Sequence, residues 1–444
     1  MKQSFDLIVI GSGPAGQRAA IQAVKAGKSV AIVENKKLGG ACAHLGTIPS
    51  KMLREAALKP NSTWKKAQAA AQKISARETR LVKDQFARNK VSHFVGKASF
   101  LDSHQILVEK STTVLEGKKF LIATGARPLH LPEFPFQWKN VHDSDSILSM
   151  SKGPKELLIL GAGVIGCEYA SLFARLGTKV TLVDRRKELL RNVDDEMIAM
   201  LRKKLSSLGV KFQLGEEIGP FEQAKGSAKL KIKLGKKAFR FDATLICMGR
   251  APNTEALALS KAGVLTDPRG FIVVNENYQT NLPHIYAAGD VIGAPALAAT
   301  SSEQGRMSAR HAFGLSNPKF PDIYPYGIYC DPEIAYAGLG ERELLEKKIP
   351  FVVGRAHYSE LARGQILGDE DGLLKLFIHR ETKELLGTHI IGQGATELVH
   401  IGLLLQRLGA KLDFIRESVF NYPTLAEAYK VAAYNALNQI ETNS

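Results

Sequence analysis

Hydrophobic and polar positions fall into a repeated order along the chain. An apolar strand, Phe5 to Ile10, runs into Gly11-Ser12-Gly13-Pro14-Ala15-Gly16, an alanine-rich helical stretch, Gln17 to Ala26, and a second strand, Ser29 to Val33, which ends at Glu34. The same order returns later as Leu157 to Leu160, Gly161-Ala162-Gly163-Val164-Ile165-Gly166, a helix Cys167 to Leu176 and a strand Lys179 to Val183 ending at Asp184. Between the two, Arg54 to Lys90 reads as helix broken at Pro60-Asn61-Ser62, and Lys97 to Phe120 reads as strand with turns at Asp102-Ser103 and Glu116-Gly117. Three strands close in small-residue turns, at Thr124-Gly125, at Gly249, and at Gly289-Asp290. From Tyr324 onward the pattern changes to strands such as Leu373 to His379 and Leu385 to Ile391 with helices Ala395 to Leu408 and Leu425 to Leu437. The expected fold is α/β, with two Rossmann-like units followed by an α+β domain.

Each glycine motif sits where its chemistry requires it. The first glycine makes the βα turn, the second lets a pyrophosphate reach the backbone, and the third lets helix pack closely on strand, while free amides at the helix start face the phosphates. An acid roughly 20 residues on accepts hydrogen bonds from a ribose. Two such units imply two dinucleotides. Gly11, Gly13, Gly16 and Glu34 form one set, and Gly161, Gly163, Gly166 and Asp184 the other. Glu34 is followed by Asn35, whereas Asp184 is followed by Arg185 and Arg186. A carboxylate favours a free ribose hydroxyl and guanidinium groups favour a 2′-phosphate, so the second unit carries signals for both NAD and NADP.

With 444 residues the chain is long enough for roughly two to four domains. No apolar run approaches the ~18 residues that span a bilayer, so no membrane association is expected. The strand beginning at Phe5 leaves no room for a signal or transit peptide, and a cytoplasmic location is expected. Cys42, Cys167, Cys247 and Cys330 are too scattered for a zinc motif or a disulfide framework, so no metal site is expected. The formal charge of +16 is dispersed, without an aromatic-studded basic tract, which argues against nucleic acid and leaves room for steering anionic dinucleotides.

The stretch Gly39-Gly40-Ala41-Cys42-Ala43-His44-Leu45-Gly46-Thr47-Ile48-Pro49-Ser50-Lys51 follows the first unit. It resembles the redox loop of the flavoprotein disulfide reductase family, in which two cysteines four residues apart lie beside the flavin ring. Thr47 stands in place of the second cysteine, and without two thiols the loop cannot pass electrons to a disulfide. The resemblance extends over nearly the whole chain, through Asp143-Ser144-Asp145-Ser146-Ile147-Leu148 between domains to Phe420-Asn421-Tyr422-Pro423-Thr424-Leu425 near the end. Thiol-handling members carry a histidine immediately before that proline, supplied across a dimer. Here the residue is Tyr422, and a phenol, with an ordinary pKa of about 10, is a poor general base at neutral pH.

The resemblance therefore implies the transhydrogenase branch of the family: hydride passes from NADPH to bound FAD and, after exchange in one pocket, to NAD+, reversibly. It implies that Asp290 reaches the ribityl hydroxyls of the flavin. Lys51 is expected near flavin N5 and paired with Glu168, with Thr47 and Cys42 alongside; Thr124, Gly125, Gly249 and Gly289 complete the cofactor-binding set. It divides the chain into an FAD-binding domain (1–150), an NAD(P)-binding domain (151–271), a return to the FAD-binding domain (272–323) and a dimerisation domain (324–444) of a homodimer. Two rivals remain open from the residues alone, an FAD-dependent NAD(P)H reductase acting on a quinone or other small oxidant, and a non-catalytic flavin-binding regulator.

Overall fold

A computed structural model describes residues 2–109, 112–223, 229–235 and 237–441. By contact the chain forms two compact units, Met1–Lys152 with Met248–Phe320, and Gly153–Cys247 with Pro321–Ser444. Residues 248–271 thus cluster with the first unit, whereas the sequence plan carries the nicotinamide domain to 271. The reason is a two-stranded ribbon in which Arg250–Pro252 pairs antiparallel with Ala126–Pro128.

In the first unit the strand Lys2–Ile10 lies parallel to Val30–Glu34 on one side and Thr113–Ile122 on the other. Ser92–Val95 extends the parallel sheet beyond Val30–Glu34, and Ile285–Ala287 pairs with the end of Thr113–Ile122. Both faces are covered, which is why the central strand is apolar without alternation. Leu7 and Val9 pack with Ile32 and with Ala19, Ala20 and Ala23 of the helix Pro14–Lys25, while Ile8 and Ile10 pack with Phe120 and Ile122. Each fully buried aliphatic side chain contributes about 1.5–3 kcal/mol, so the register that aligns Ile10 with Val33 and Ile122 is strongly specified. The turn expected at Glu116-Gly117 is absent: Thr113–Ile122 runs through it. Gly117 answers packing there, because a Cβ would lie 2.7 Å from the Phe120 ring. The helical stretch does break around Pro60, into Thr47–Ala57 and Trp64–Arg88, and Thr63 caps the second by accepting from the Lys66 amide.

The second unit holds a parallel sheet of Lys211–Leu214, Lys179–Asp184, Glu156–Leu160 and Ala243–Ile246, in that order. Its C-terminal domain is a five-stranded antiparallel sheet on which the helices Ala395–Arg407 and Ala428–Glu441 pack. The helix at 428 starts later than the sequence suggests, after a short 3-10 turn at Leu425–Glu427. Lys375, 1% exposed in the middle of that sheet, places its ammonium 2.8 and 2.9 Å from the two oxygens of Asp194 and 3.0 Å from Glu196. Asp194 also caps the helix Asp195–Ser207, accepting from the amides of Glu196 and Met197. His389 beside them is kept neutral, since burial pushes its pKa down to about 4. Among the described residues no helix is long and apolar enough to cross a membrane, and no cluster of His, Cys, Asp and Glu could hold a metal ion.

Candidate functional site: two dinucleotide turns

At the first turn Gly11 has φ +103°, and a Cβ there would come 2.4 Å from the Ala123 carbonyl oxygen. A Cβ on Gly16 would come 1.9 Å from the Gly11 carbonyl oxygen, so strand, turn and helix fit only without side chains. Gly13 is different: an added Cβ would meet nothing within 4 Å. The space above Gly13, at the start of the helix Pro14–Lys25, is the cradle a pyrophosphate needs. Glu34, 8% exposed, accepts at one oxygen from the Ser12 amide (3.0 Å) and hydroxyl (2.6 Å), and at the other from the Lys36 amide (2.8 Å). The carboxylate is thereby fixed at the strand end, with acceptor capacity left for a ribose hydroxyl at the oxygen that the Lys36 amide meets.

The redox-loop stretch is pinned to this turn. Ser12 Oγ, donating to Glu34, accepts from the Gly39 amide at 3.1 Å, and Gly40 lies so close that a Cβ would be 2.9 Å from Gly13 Cα. The short helix Gly40–His44 then carries Cys42, and Thr47 opens the helix Thr47–Ala57 that carries Lys51. The Thr47 hydroxyl hydrogen-bonds the Cys42 thiol. Burial nonetheless pushes the thiol above its ordinary value, and the nearby Asp290 and Glu78 push the same way against Thr47 and Lys51. Cys42 is therefore a neutral thiol at pH 7, without the thiolate that attack on a disulfide requires.

Thr124 and Gly125 end the strand beside the Gly11 turn, and the ribbon of Arg250–Pro252 lies against them. Asn253 donates to the Thr124 carbonyl (2.9 Å) and Leu129 donates to the Gly249 carbonyl (3.0 Å). Thr124 Oγ1 is buried and has no hydrogen-bond partner among the described residues, an unmet donor next to the glycine turn. Gly289, at φ +81°, is held by its amide donating to Gln304 at 2.9 Å, and presents Asp290. Burial raises the affinity of Asp290 for its proton, opposed by Arg250 and by a hydrogen bond from Ser301. Ser12, Arg250 and Ser301 were not singled out from the sequence. The signal for Ser12 lay inside the glycine motif; nothing local marked Ser301, which the helix Ala298–Ala312 brings in.

The second turn repeats the first. Gly161 has φ +105°, a Cβ there would lie 2.5 Å from the Cys247 carbonyl oxygen, a Cβ on Gly166 would lie 1.8 Å from the Gly161 carbonyl oxygen, and Gly163 is again open. Asp184 accepts from the Ala162 amide (2.8 Å) and the Arg186 amide (2.8 Å). It also receives a two-pronged bond from the Arg186 guanidinium, Nε at 3.1 Å and Nη2 at 3.0 Å. Burial pushes Asp184 up, but these donors outweigh it and hold the carboxyl below its ordinary value. The Arg185 side chain is exposed. Glu168, on the helix Val164–Arg175 of this unit, accepts from the Tyr329 amide at 2.9 Å. Lys51 lies in the other unit.

Two glycine cradles with fixed acids, each opening a parallel-sheet helix, define a protein built for two dinucleotides. Residues 5–305 match the family model of the pyridine nucleotide-disulphide oxidoreductases, and residues 324–433 match the dimerisation domain of the same family. The chain belongs to this family and is an oxidoreductase. It is similar to the soluble pyridine nucleotide transhydrogenase of Mycobacterium bovis, 44% identical over 460 residues that cover 99% of this chain and 98% of that one. The protein of the same name from Pseudomonas putida is 41% identical, covering 98% of this chain and 99% of that one. Among solved structures it resembles the Cu(II) complex of the HOCl-induced flavoprotein disulfide reductase RclA from Escherichia coli, with a TM-score of 0.92, 25% identity, and coverage of 97% and 99%.

Proposed function

We propose that this chain is a soluble-type pyridine nucleotide transhydrogenase that moves hydride from NADPH to NAD+, reversibly, by a ping-pong cycle and without a redox-active disulfide. FAD is its cofactor, NAD(H) and NADP(H) are its substrates, and the protein is a homodimer. The open cradle at Gly13, the fixed carboxylate of Glu34 and the unmet donor at Thr124 suit an adenine dinucleotide in the first unit. When bound, FAD supplies the hydride relay, taking hydride from one nicotinamide and returning it to another.

The observation that carries the reading is Thr47 against Cys42. A hydroxyl cannot be oxidised to a disulfide partner, so with Thr47 in the loop Cys42 has no second sulfur there to exchange electrons with. What the chain itself must do is bind, orient and exclude water. In this reading Glu34 holds the cofactor ribose, Asp290 accepts from its ribityl hydroxyls, and Lys51, placed by resemblance beside N5 with Glu168 as partner, supplies a positive charge where negative charge develops. Gly161, Gly163 and Gly166 receive the nicotinamide dinucleotides one after the other, and Asp184 with Arg185 and Arg186 meets either 2′ substituent. Neutralised by Arg186, Asp184 repels a 2′-phosphate less than a bare carboxylate would, and release of the Arg186 guanidinium frees an acceptor site on each oxygen for a 2′-hydroxyl. A cytoplasmic location belongs to the same reading.

The test is anaerobic. The yellow protein is reduced with NADPH, an NAD analogue is added, and the flavin and analogue bands are followed together. Return of the flavin absorbance with one equivalent of reduced analogue is the expected result. Flavin that stays reduced until a quinone or oxygen is added would instead make the protein a reductase of small oxidants, and flavin that NADPH never bleaches would make it a non-catalytic flavin binder.

A further inference from the structure

Arg250 sits in the ribbon with its guanidinium only partly committed. Nη2 donates to the Ala126 carbonyl at 2.6 Å, which fixes the side chain across the ribbon. Nε is buried and has no hydrogen-bond acceptor among the described residues; Asp290 Oδ2 is near, at 3.9 Å, beyond hydrogen-bond reach. A buried N–H left without an acceptor is destabilising, and a guanidinium stopped short of a carboxylate is an arrangement that a bound group with oxygen atoms would complete. The charged and titratable groups around it are few. Asp290 is faced by Arg250 and by Cys42 of the redox loop, with the Ser301 hydroxyl bonded to it. Arg250 also faces Asp145, which Asp143 and Lys36 face in turn.

We propose that Arg250 is a positioning residue of the flavin site, whose guanidinium, anchored on Ala126, keeps Asp290 a carboxylate aimed as an acceptor for the ribityl hydroxyls. This rests on the reading of Asp290 as a flavin contact. The physical argument is one of competing burial. Asp290 is half-buried and burial favours its neutral form, which accepts hydrogen bonds poorly. Arg250 is the cation facing it, and it comes from the ribbon that also braces Thr124 and Gly125 beside the Gly11 turn. Removing the guanidinium lets the Asp290 proton affinity rise further, so flavin binding acquires a pH dependence that the intact site lacks.

The experiment measures FAD binding to the full-length apoprotein by quenching of flavin fluorescence from pH 6 to 9, for the wild type, Arg250→Met, Arg250→Lys, Asp290→Asn and the double variant Arg250→Met/Asp290→Asn. Wild-type affinity should be flat across the range. Arg250→Met should bind about tenfold more weakly at pH 6 than at pH 9, corresponding to about 1.4 kcal/mol. Arg250→Lys, which keeps the charge, should recover a flat profile, and the double variant should be weak but flat, since its titrating group is gone. A role in folding alone would lower affinity equally at every pH. If Arg250→Met binds within twofold of the wild type with the same flat profile, the inference is overturned; if Arg250→Met does not fold, a sloped profile in Arg250→Lys overturns it. Asp290→Asn separates the two readings: full FAD affinity in that variant removes Asp290 as a flavin contact and the proposal for Arg250 with it, whereas a weakened Asp290→Asn beside an unaltered Arg250→Met removes Arg250 alone.

Discussion

At the first dinucleotide turn the acid is tied down by neutral donors, the amide and hydroxyl of Ser12 and the amide of Lys36; at the second it is tied down by a cation, Arg186. The glycines of the two turns match closely, with φ of +103° and +105° at Gly11 and Gly161 and a Cβ approach of 1.9 and 1.8 Å at Gly16 and Gly166. One site therefore presents a charged carboxylate in a fixed frame. The other presents an ion pair that a ligand can open, because the Arg186 side chain is more than half exposed and its bond to Asp184 competes with water. A fixed frame suits a cofactor that stays, and an openable pair suits two substrates that alternate.

The largest effects should come from closing each cradle in turn. Gly13 and Gly163 both have free space where a Cβ would sit, so Gly13→Val and Gly163→Val should fold. Gly13→Val should be purified without flavin, its FAD affinity down by about 100-fold or more, or roughly 3 kcal/mol. Gly163→Val should stay yellow while its NADPH affinity, measured by titration of the flavin band, falls by a similar factor. Loss of flavin from the second variant would break the assignment of one turn to each ligand.

Next in size is the double change Arg185→Ala/Arg186→Ala. The Michaelis constant for NADPH should rise about 30-fold, near the 2 kcal/mol expected for charge-assisted bonds to phosphate, while that for NADH changes by less than about threefold. Steady-state kinetics with a common acceptor decide it, and equal losses for both nucleotides would end the idea that the arginines read the 2′ position. Arg186→Ala alone should also be visible in acid. Asp184 has its pKa lowered from 3.8, so it contributes stability at pH above 3.8 that is lost as pH falls through the lowered value. Without Arg186 that contribution shrinks, and acid unfolding followed by circular dichroism should begin at a pH higher by a few tenths. The smallest effect belongs to the sulfur: Cys42→Ser should leave hydride transfer within about twofold, because with Thr47 in the loop Cys42 has no second sulfur with which to form a disulfide. A large loss of flavin reduction by NADPH would restore sulfur to the chemistry.

Much of the frame was legible in the chain because strand, glycine turn and acid are local features with fixed spacing. The two glycine sets, the break at Pro60 and the change to strands after Tyr324 all follow from patterns a few residues long. What escaped were matters settled by distant neighbours. Glu116-Gly117 looks like a turn in isolation, yet Gly117 is small because the Phe120 ring covers it. Arg186 looks like a free phosphate ligand beside Asp184, yet folded it lies on that acid. Arg250 and Ser301 carry no local mark, and they converge on Asp290 only once the ribbon and a later helix have formed. Cys42 and Thr47 sit in the middle ground: their types were plain in the sequence, but their hydrogen bond depends on the bend between the helices Gly40–His44 and Thr47–Ala57.

The lysine enclosed at the centre of the C-terminal sheet bears on how this family can recombine. Lys375 and Asp194 are each about 1% exposed at the side chain, and they come from the two halves of the second unit. Exchange of the C-terminal half for one from a relative without the lysine would strand a buried carboxylate, and the reverse exchange would strand a buried ammonium. Either costs about 3–5 kcal/mol, a large part of the stability of an ordinary domain. A chimera that crosses between the two halves therefore has to carry both ends of that pair from the same parent.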